Sequence, residues 1–298
     1  MEEWAAIDIG SNTVQLLVAG SEDIHFRPHF FALNTTRLGA SSAPGLLDGA
    51  RIADTLAVLI GYREEIQRRQ VAAVRVVATS AVRDAANKDA LLQAVREHCG
   101  WQVEVLSGQE EARLSFGGAA AAALAKKARH ILLLDIGGSS SELIRWRDGH
   151  MHTISADMGA VRAQTAGWQA EEIASRLAAA IKAQADDPAA LAIGAGGTIT
   201  TAAALLQGCR EYSRQAVEGY ELKAEAVEKL LAILSPLSIA ERCAYSPLLA
   251  RRGEIIREGL LILRAFLRLL SLPGIMVSAG GILEGCLMEM RQGIGGRD

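Results

Sequence analysis

The chain is poor in the features that mark many common protein classes. Its 298 residues include four cysteines, Cys99, Cys209, Cys243 and Cys286, and no two have CxxC spacing. That leaves out the usual zinc and dithiol redox motifs, and isolated thiols in a reducing compartment are the plain expectation. There is no basic, apolar leader, since MEEWAAIDIG opens on acids, so no signal peptide is expected. There is no unbroken apolar run of membrane-spanning length. The most apolar stretch, near 260–277, is interrupted by Arg264, Arg268 and Pro273, whereas a span needs about 20 consecutive apolar residues. Nor is there an excess of positive charge. A net charge of −3 supplies no general basic field, so nucleic acid is not an expected partner. A cytoplasmic protein without membrane or nucleic-acid contacts is expected, in which any anionic ligand is held by local groups.

What the chain does have is apolar content and a repeated phrase. Half the residues are hydrophobic, enough for a large core in one large or two ordinary domains. AAIDIGSNTVQLLV (5–18) and LLDIGGSSSELI (133–144) both place an apolar run, an aspartate, glycine and hydroxyl residues before a second apolar run. Asp8 and Asp135 are 127 positions apart, too far for a solenoid repeat. After the first phrase, the pattern predicts a third strand at 24–34, a helix at 46–70 and a strand at VAAVRVVATS. A helix capped by Asn87 and ended by Gly100, the strand WQVEVLS and an Ala-rich helix at 108–128 follow. After the second phrase, Asp148-Gly149 predicts a hairpin into HMHTISAD. A helix at 169–184, the strand ALAIGAG and a helix from Thr198 come next, then helical sequence over 222–270, the strand GIMVSAG and a last helix. Each half therefore reads strand-strand-strand-helix-strand-helix-strand-helix. The expected architecture is α/β, with two related domains, 1–125 and 126–298, flanking a cleft, and ligands at strand ends; the second carries helical insertions, and its C-terminal helix is a candidate to pack back on the first. The Ala-rich helix is the expected crossing connection.

The repeated turn has a chemical sense. A glycine turn lets backbone N–H groups approach a ligand, and Ser11, Asn12, Thr13, Ser139, Ser140 and Ser141 add donors suited to an oxyanion. A carboxylate beside phosphate repels it unless a cation intervenes. Mg²⁺ takes oxygen ligands and is held by one or two carboxylates plus phosphate and water. Asp135 and Glu142 lie on consecutive strands flanking one turn and can reach the same ion. Gln15 holds the matching place in the first copy and is neutral, so the cation is expected on the second-domain side. Between the copies, Ser107 and Glu110 have capping-box spacing. Glu111 is left out of that cap. It can serve as a general base or simply be a solvated glutamate at a helix start. Gly194, Gly196 and Gly197 before Thr198, and Gly280 and Gly281, form further strand-to-helix turns of the kind that bind anions. Arg83 reads equally as a phosphate clamp or a surface arginine. His150 and His152 have no third ligand nearby in sequence and receive no role.

Taken together, AIDIGSNT (6–13), ATSAVRDAAN (78–87), SGQEEARL (107–114), DIGGSSSEL (135–143), GAGGT (194–198), RGEIIREG (252–259) and SAGGILEG (278–285) resemble the exopolyphosphatase/guanosine pentaphosphate phosphatase family. That resemblance implies two actin-like (ribonuclease H-like) domains with an interdomain cleft. It implies Glu111 as catalytic base, and Asp135 and Glu142, with Asp8 nearby, as divalent-metal carboxylates. Ser11, Asn12, Thr13, Arg83, Gly137, Gly138, Ser139, Gly196, Gly197 and Thr198 match phosphate-contacting positions, and Arg252 a substrate-binding one. The expected cofactor is Mg²⁺, with Mn²⁺ able to substitute. The expected substrate is polyphosphate or guanosine pentaphosphate, and a homodimer is left open. The chain departs from the family at Ser139, where a third glycine is usual, and at Ala279 and Leu283, where an acid and an arginine are usual. Those departures bear on substrate preference. The expected activity is metal-dependent release of a terminal phosphate. A kinase or ATPase of the same superfamily, or a non-catalytic polyphosphate or alarmone sensor, is the alternative.

Overall fold

Strands form where short apolar runs are bounded by turn residues. In the first half these are β1 (Glu3–Ile9), β2 (Thr13–Gly20), β3 (Pro28–Thr35), β4 (Ala73–Ala78) and β5 (Val103–Val105). The structure is a computed structural model that describes residues 2–21, 28–40, 45–125, 127–181 and 191–293. Residues 24–27 of the expected third strand and 182–184 of the expected helix lie outside that range. The first sheet has the order β3-β2-β1-β4-β5, with β1, β2 and β3 antiparallel and β1, β4 and β5 parallel. The second half supplies β6 (His130–Ile136), β7 (Ser141–Arg147), β8 (His150–Ala156), β9 (Leu191–Ala195), β10 (Glu221–Lys223) and β11 (Gly274–Val277). Its order is β10-β11-β9-β6-β7-β8. With the edge strand β10 removed, this is the first sheet's order written again, with the same parallel and antiparallel pairs.

Contacts divide the chain into two units. Residues up to Gly118 and from Gly281 onward make one, and Ala119–Gly280 makes the other. The division falls inside the helix Gly108–Ala125, earlier than the break after 125 expected from the sequence, and the chain returns to the first unit at its end. Alternation along β1 explains why. Ala5, Ile7 and Ile9 join one core with Leu59, Val76 and Leu91, while Ala6 on the opposite face joins Leu17, Leu283, Cys286 and Leu287. Period-two alternation makes β1 apolar on both faces, and the last helix, Ile282–Arg291, covers the second face. Arg75 on β4 secures it. This buried guanidinium donates to Glu104 and to Glu289 of that helix, and Glu289 also pairs with Arg113. In the second unit, the helix Ile256–Leu269 lies in the core, with Leu260, Ile262 and Leu263 fully buried. No helix among the described residues is long and apolar enough to cross a membrane.

Local signals were met unevenly. The Asp148-Gly149 turn has φ of +47° and +91°, the pair of positive values a two-residue hairpin needs. Gly100 ends the helix Lys88–Cys99 in the left-handed conformation. Asn87 does not cap that helix. Its side chain instead makes a two-way bond with the Leu47 backbone, accepting from N at 2.8 Å and donating to O at 2.9 Å. The stretch beginning at 222 opens with β10 rather than helix, and a short helix at Ala160–Thr165 was not expected.

Candidate active site

The repeated phrase folds into one geometry twice. In the first unit Asp8 lies directly opposite Gln15 across β1 and β2, and in the second Asp135 lies opposite Glu142 across β6 and β7. Gly10 N donates to Thr13 O and Gly137 N to Ser140 O, each at 3.0 Å. Directly opposite residues share a face, with Cβ atoms about 5 Å apart. The second unit therefore sets two carboxylates side by side. Glu142 is buried, Asp135 half-buried, and Ser155 Oγ donates to Glu142 Oε1 at 3.1 Å.

A second loop closes on this pair. Gly196 ends β9 with φ of +91°, and a Cβ there would lie 2.6 Å from Ile136 O and 2.8 Å from Asp135 Oδ1. Only glycine combines that backbone with that approach. It leads into the helix Gly197–Leu206, whose N-terminal N–H groups carry partial positive charge. The Arg252 guanidinium packs so closely on Gly197 that a side chain there would overlap it. Burial lowers the Arg252 pKa from the ordinary arginine value, yet the group stays cationic at neutral pH. Thr198 is buried, packed against Gly259. Asp135, Glu142, Gly196, Gly197 and Arg252 thus gather at one end of the second sheet, with two carboxylates and a guanidinium beside a helix start.

In the first unit, Ser11, Asn12 and Thr13 are all buried at the β1–β2 turn. The Asn12 Nδ2 amide is buried with no hydrogen-bond partner, a donor suited to an anion's oxygen. Ser11 Oγ lies 3.5 Å from Ser80 Oγ, which brings the segment containing Arg83 to this turn. Arg83 Nη1 donates to Glu111 Oε2 and to Leu106 O, each at 2.9 Å. Glu111 is itself buried. The capping box forms as the spacing predicts. Ser107 donates to Glu110 Oε2 from N at 2.8 Å and from Oγ at 2.7 Å, holding the Glu110 carboxyl below the usual carboxylate range. Glu111 is left to Arg83. Asp8 also lies in the first unit, on the face covered by the last helix, where its charge helps raise the Cys286 pKa to about 12, after desolvation as the main cause.

Among the described residues, no three His, Cys, Asp or Glu side chains converge as a complete cation cage. The second unit's donor set nonetheless fits Mg²⁺. Two neighbouring carboxylates repel in a partly buried setting, and Mg²⁺ is ordinarily held by one or two carboxylates while keeping water and phosphate oxygens. Sequence reasoning missed the segments that brace the two turns. Thr36 N and Arg37 N donate to Asn12 O at 3.1 and 3.0 Å, and Gly39 N to Ser11 O at 2.7 Å. Ala160 N, Val161 N and Arg162 N brace the second turn in the same way. The available signal was a glycine near an arginine soon after each third strand, in TRLGA (36–40) and GAVRA (159–163).

Two mixed α/β units of one topology, each with the same Asp-Ile-Gly turn, define the actin-like class of folds. Residues 17–293 match the Ppx/GppA phosphatase family, and the chain belongs to that family. Exopolyphosphatase 2 of Mycobacterium tuberculosis is 27% identical, covering 96% of this chain and 98% of its own. Guanosine-5'-triphosphate,3'-diphosphate pyrophosphatase of Vibrio atlanticus is 27% identical over 96% of this chain and 59% of its own length. The crystal structure of the Aquifex aeolicus Ppx/GppA family member superposes with a TM-score of 0.80 at 28% identity, covering 99% of both chains.

Proposed function

We propose that the chain is a divalent-metal-dependent phosphohydrolase that releases the terminal phosphate of inorganic polyphosphate, guanosine pentaphosphate or both, in the cytoplasm. One observation carries the reading. Asp135 and Glu142 stand directly opposite each other beside a helix N-terminus and the Arg252 guanidinium, an arrangement for a cation and a phosphoryl group together. When bound, Mg²⁺ supplies positive charge to phosphoryl oxygens. The chain's own groups do the rest. Amides and hydroxyls of the glycine turns, the start of the helix Gly197–Leu206 and Arg252 receive phosphate oxygens. Glu111 takes the proton from the attacking water. Arg83 holds Glu111 Oε2 in the structure. A phosphate oxygen that draws this guanidinium away leaves the carboxylate able to accept a proton. The relatives' names support both substrates without choosing between them.

The test is phosphate release from tripolyphosphate, long-chain polyphosphate and guanosine pentaphosphate, each with Mg²⁺ and with chelator. Release from at least one, abolished by chelator, is expected. Tight binding of all three with no turnover in Mg²⁺ or Mn²⁺ would overturn the reading.

A further inference from the structure

The turn between β6 and β7 is held from behind by a contact whose purpose the peptide geometry reveals. Gly137 O accepts from Ala160 N at 3.0 Å, and Gly138 O accepts from Val161 N at 2.8 Å and Arg162 N at 3.1 Å. Ser139 O accepts from the Arg162 side chain, Nε, at 2.9 Å. Three successive carbonyls are thus pinned to one short segment. Peptide bonds here are all trans, and in a planar trans peptide the N–H points opposite to the C=O. Fixing those carbonyls therefore aims the N–H groups of Gly138, Ser139 and Ser140 together, away from the segment 160–162. Successive amides so aligned make an anion-binding concavity. The close seat requires Gly159, because a Cβ there would overlap the Gly138 carbonyl and the Ser139 nitrogen. The first two carbonyls are held by backbone, which any sequence provides. The third is held by a side chain.

We infer that Arg162 is a positioning residue, whose guanidinium fixes the Ser139–Ser140 peptide so that its N–H joins the phosphate-receiving row. Arg162 acts from the far side of the turn, through a backbone carbonyl rather than by touching the ligand. This inference rests on the phosphohydrolase reading for its ligand, but the ordering of the turn can be measured without one.

The experiment compares wild type with Arg162→Met, Arg162→Lys and, as a control, Arg268→Ala, an exposed arginine in the same unit paired with Glu228. Two measurements are made on each. Amide hydrogen exchange and ¹⁵N relaxation at Ser139 and Ser140, without ligand, read the order of the turn. Tripolyphosphate affinity in Mg²⁺, with kcat and KM for phosphate release, reads its use. Arg162→Met should loosen these two amides selectively, weaken tripolyphosphate binding about tenfold, and raise KM more than it lowers kcat. Arg162→Lys, whose ammonium can still donate to the carbonyl, should recover affinity to within about threefold, and the control should change neither measurement. If Arg162→Met folds and binds tripolyphosphate like wild type, the inference is overturned. Uniform loosening of the whole unit, with the lysine variant no better than methionine, would also overturn it by showing a merely structural role. If wild type neither binds nor cleaves tripolyphosphate while Arg162→Met still loosens Ser139 and Ser140, the phosphohydrolase reading falls and the positioning role stands.

Discussion

The two copies of the Asp-Ile-Gly turn share strand order, register and the closing bond from the glycine N–H. They differ in charge and bracing. The first pairs Asp8 with Gln15, and the second pairs Asp135 with Glu142. The first has two carbonyls held by backbone N–H groups of Thr36, Arg37 and Gly39. The second has three carbonyls held, one of them by an arginine side chain. One fold thus carries two different charge patterns. A single carboxylate needs no cation, whereas two neighbouring carboxylates become stable when a cation or a proton sits between them. The copy that carries more negative charge also has more of its carbonyls anchored, as expected if metal and phosphoryl group meet there.

The comparison can be broken at graded cost. The largest effect is expected outside both turns. Glu111→Gln should lower kcat for phosphate release by roughly 10²–10⁴, the range of a lost general base, while polyphosphate affinity changes little. Unaltered turnover would remove Glu111 from the chemistry. Next come exchanges that make each turn resemble its twin. Glu142→Gln should raise the Mg²⁺ concentration for half-maximal activity at least tenfold, a prediction resting on the carboxylate contribution to the ion. Gln15→Glu should destabilise the first unit by about 1–3 kcal/mol through a new like-charge pair. Thermal melts should show that loss growing as pH rises, because the pair is tolerated only while one carboxyl keeps its proton. A neutral outcome for both exchanges would mean that the Gln15/Glu142 difference does not locate the cation.

A smaller contrast is expected between the two bracing glycines. Gly159→Ala would drive a methyl into backbone and should cost about 1–3 kcal/mol, with a matching fall in activity. Gly39→Ala meets Ser11 Cβ at 2.9 Å and backbone only at 3.3 Å, against 2.3 Å to the Gly138 carbonyl carbon at Gly159, and should cost less. Equal losses in urea melts would contradict the difference in bracing. The smallest effect is expected from Ser139→Gly. The position's carbonyl is already anchored by Arg162, so KM should shift by no more than about threefold, the effect of a neutral hydrogen bond. A larger change, or a switch between polyphosphate and guanosine pentaphosphate, would show that the hydroxyl itself reads the substrate.

Much of this was legible because it is local. Strands β1, β2, β6 and β7 announce themselves as apolar runs, and the turns between them as glycine with hydroxyl residues. The Ser107–Glu110 box depends on a spacing of three, so it too was readable. What escaped depends on distant partners. Asn87 stands where a helix cap belongs, but Leu47 claims its side chain. Arg162 is one arginine among many until Ser139 is placed beside it. Glu111 was visible as the acid left out of the cap, but its pairing with Arg83 joins residues 28 positions apart. The short strand β10 carries no pattern of its own and exists because β11 offers it an edge.

The last helix has a consequence for the order in which the molecule is made. It covers the second face of β1, which is synthesised long before it, and packs so closely on the helix Gly108–Ala125 that a side chain at Gly285 would overlap Leu114 and one at Gly118 would overlap Gly281. Domains generally fold as units, beginning as the chain emerges from the ribosome. Here the first unit to begin is the last to be completed. Its sheet must wait, with one apolar face covered only in part by Leu106 and Leu114, while all of Ala119–Gly280 is synthesised. During that interval the nascent chain has most need of a chaperone, and a stop codon just before Gly281 would leave the second unit whole and the first without its lid.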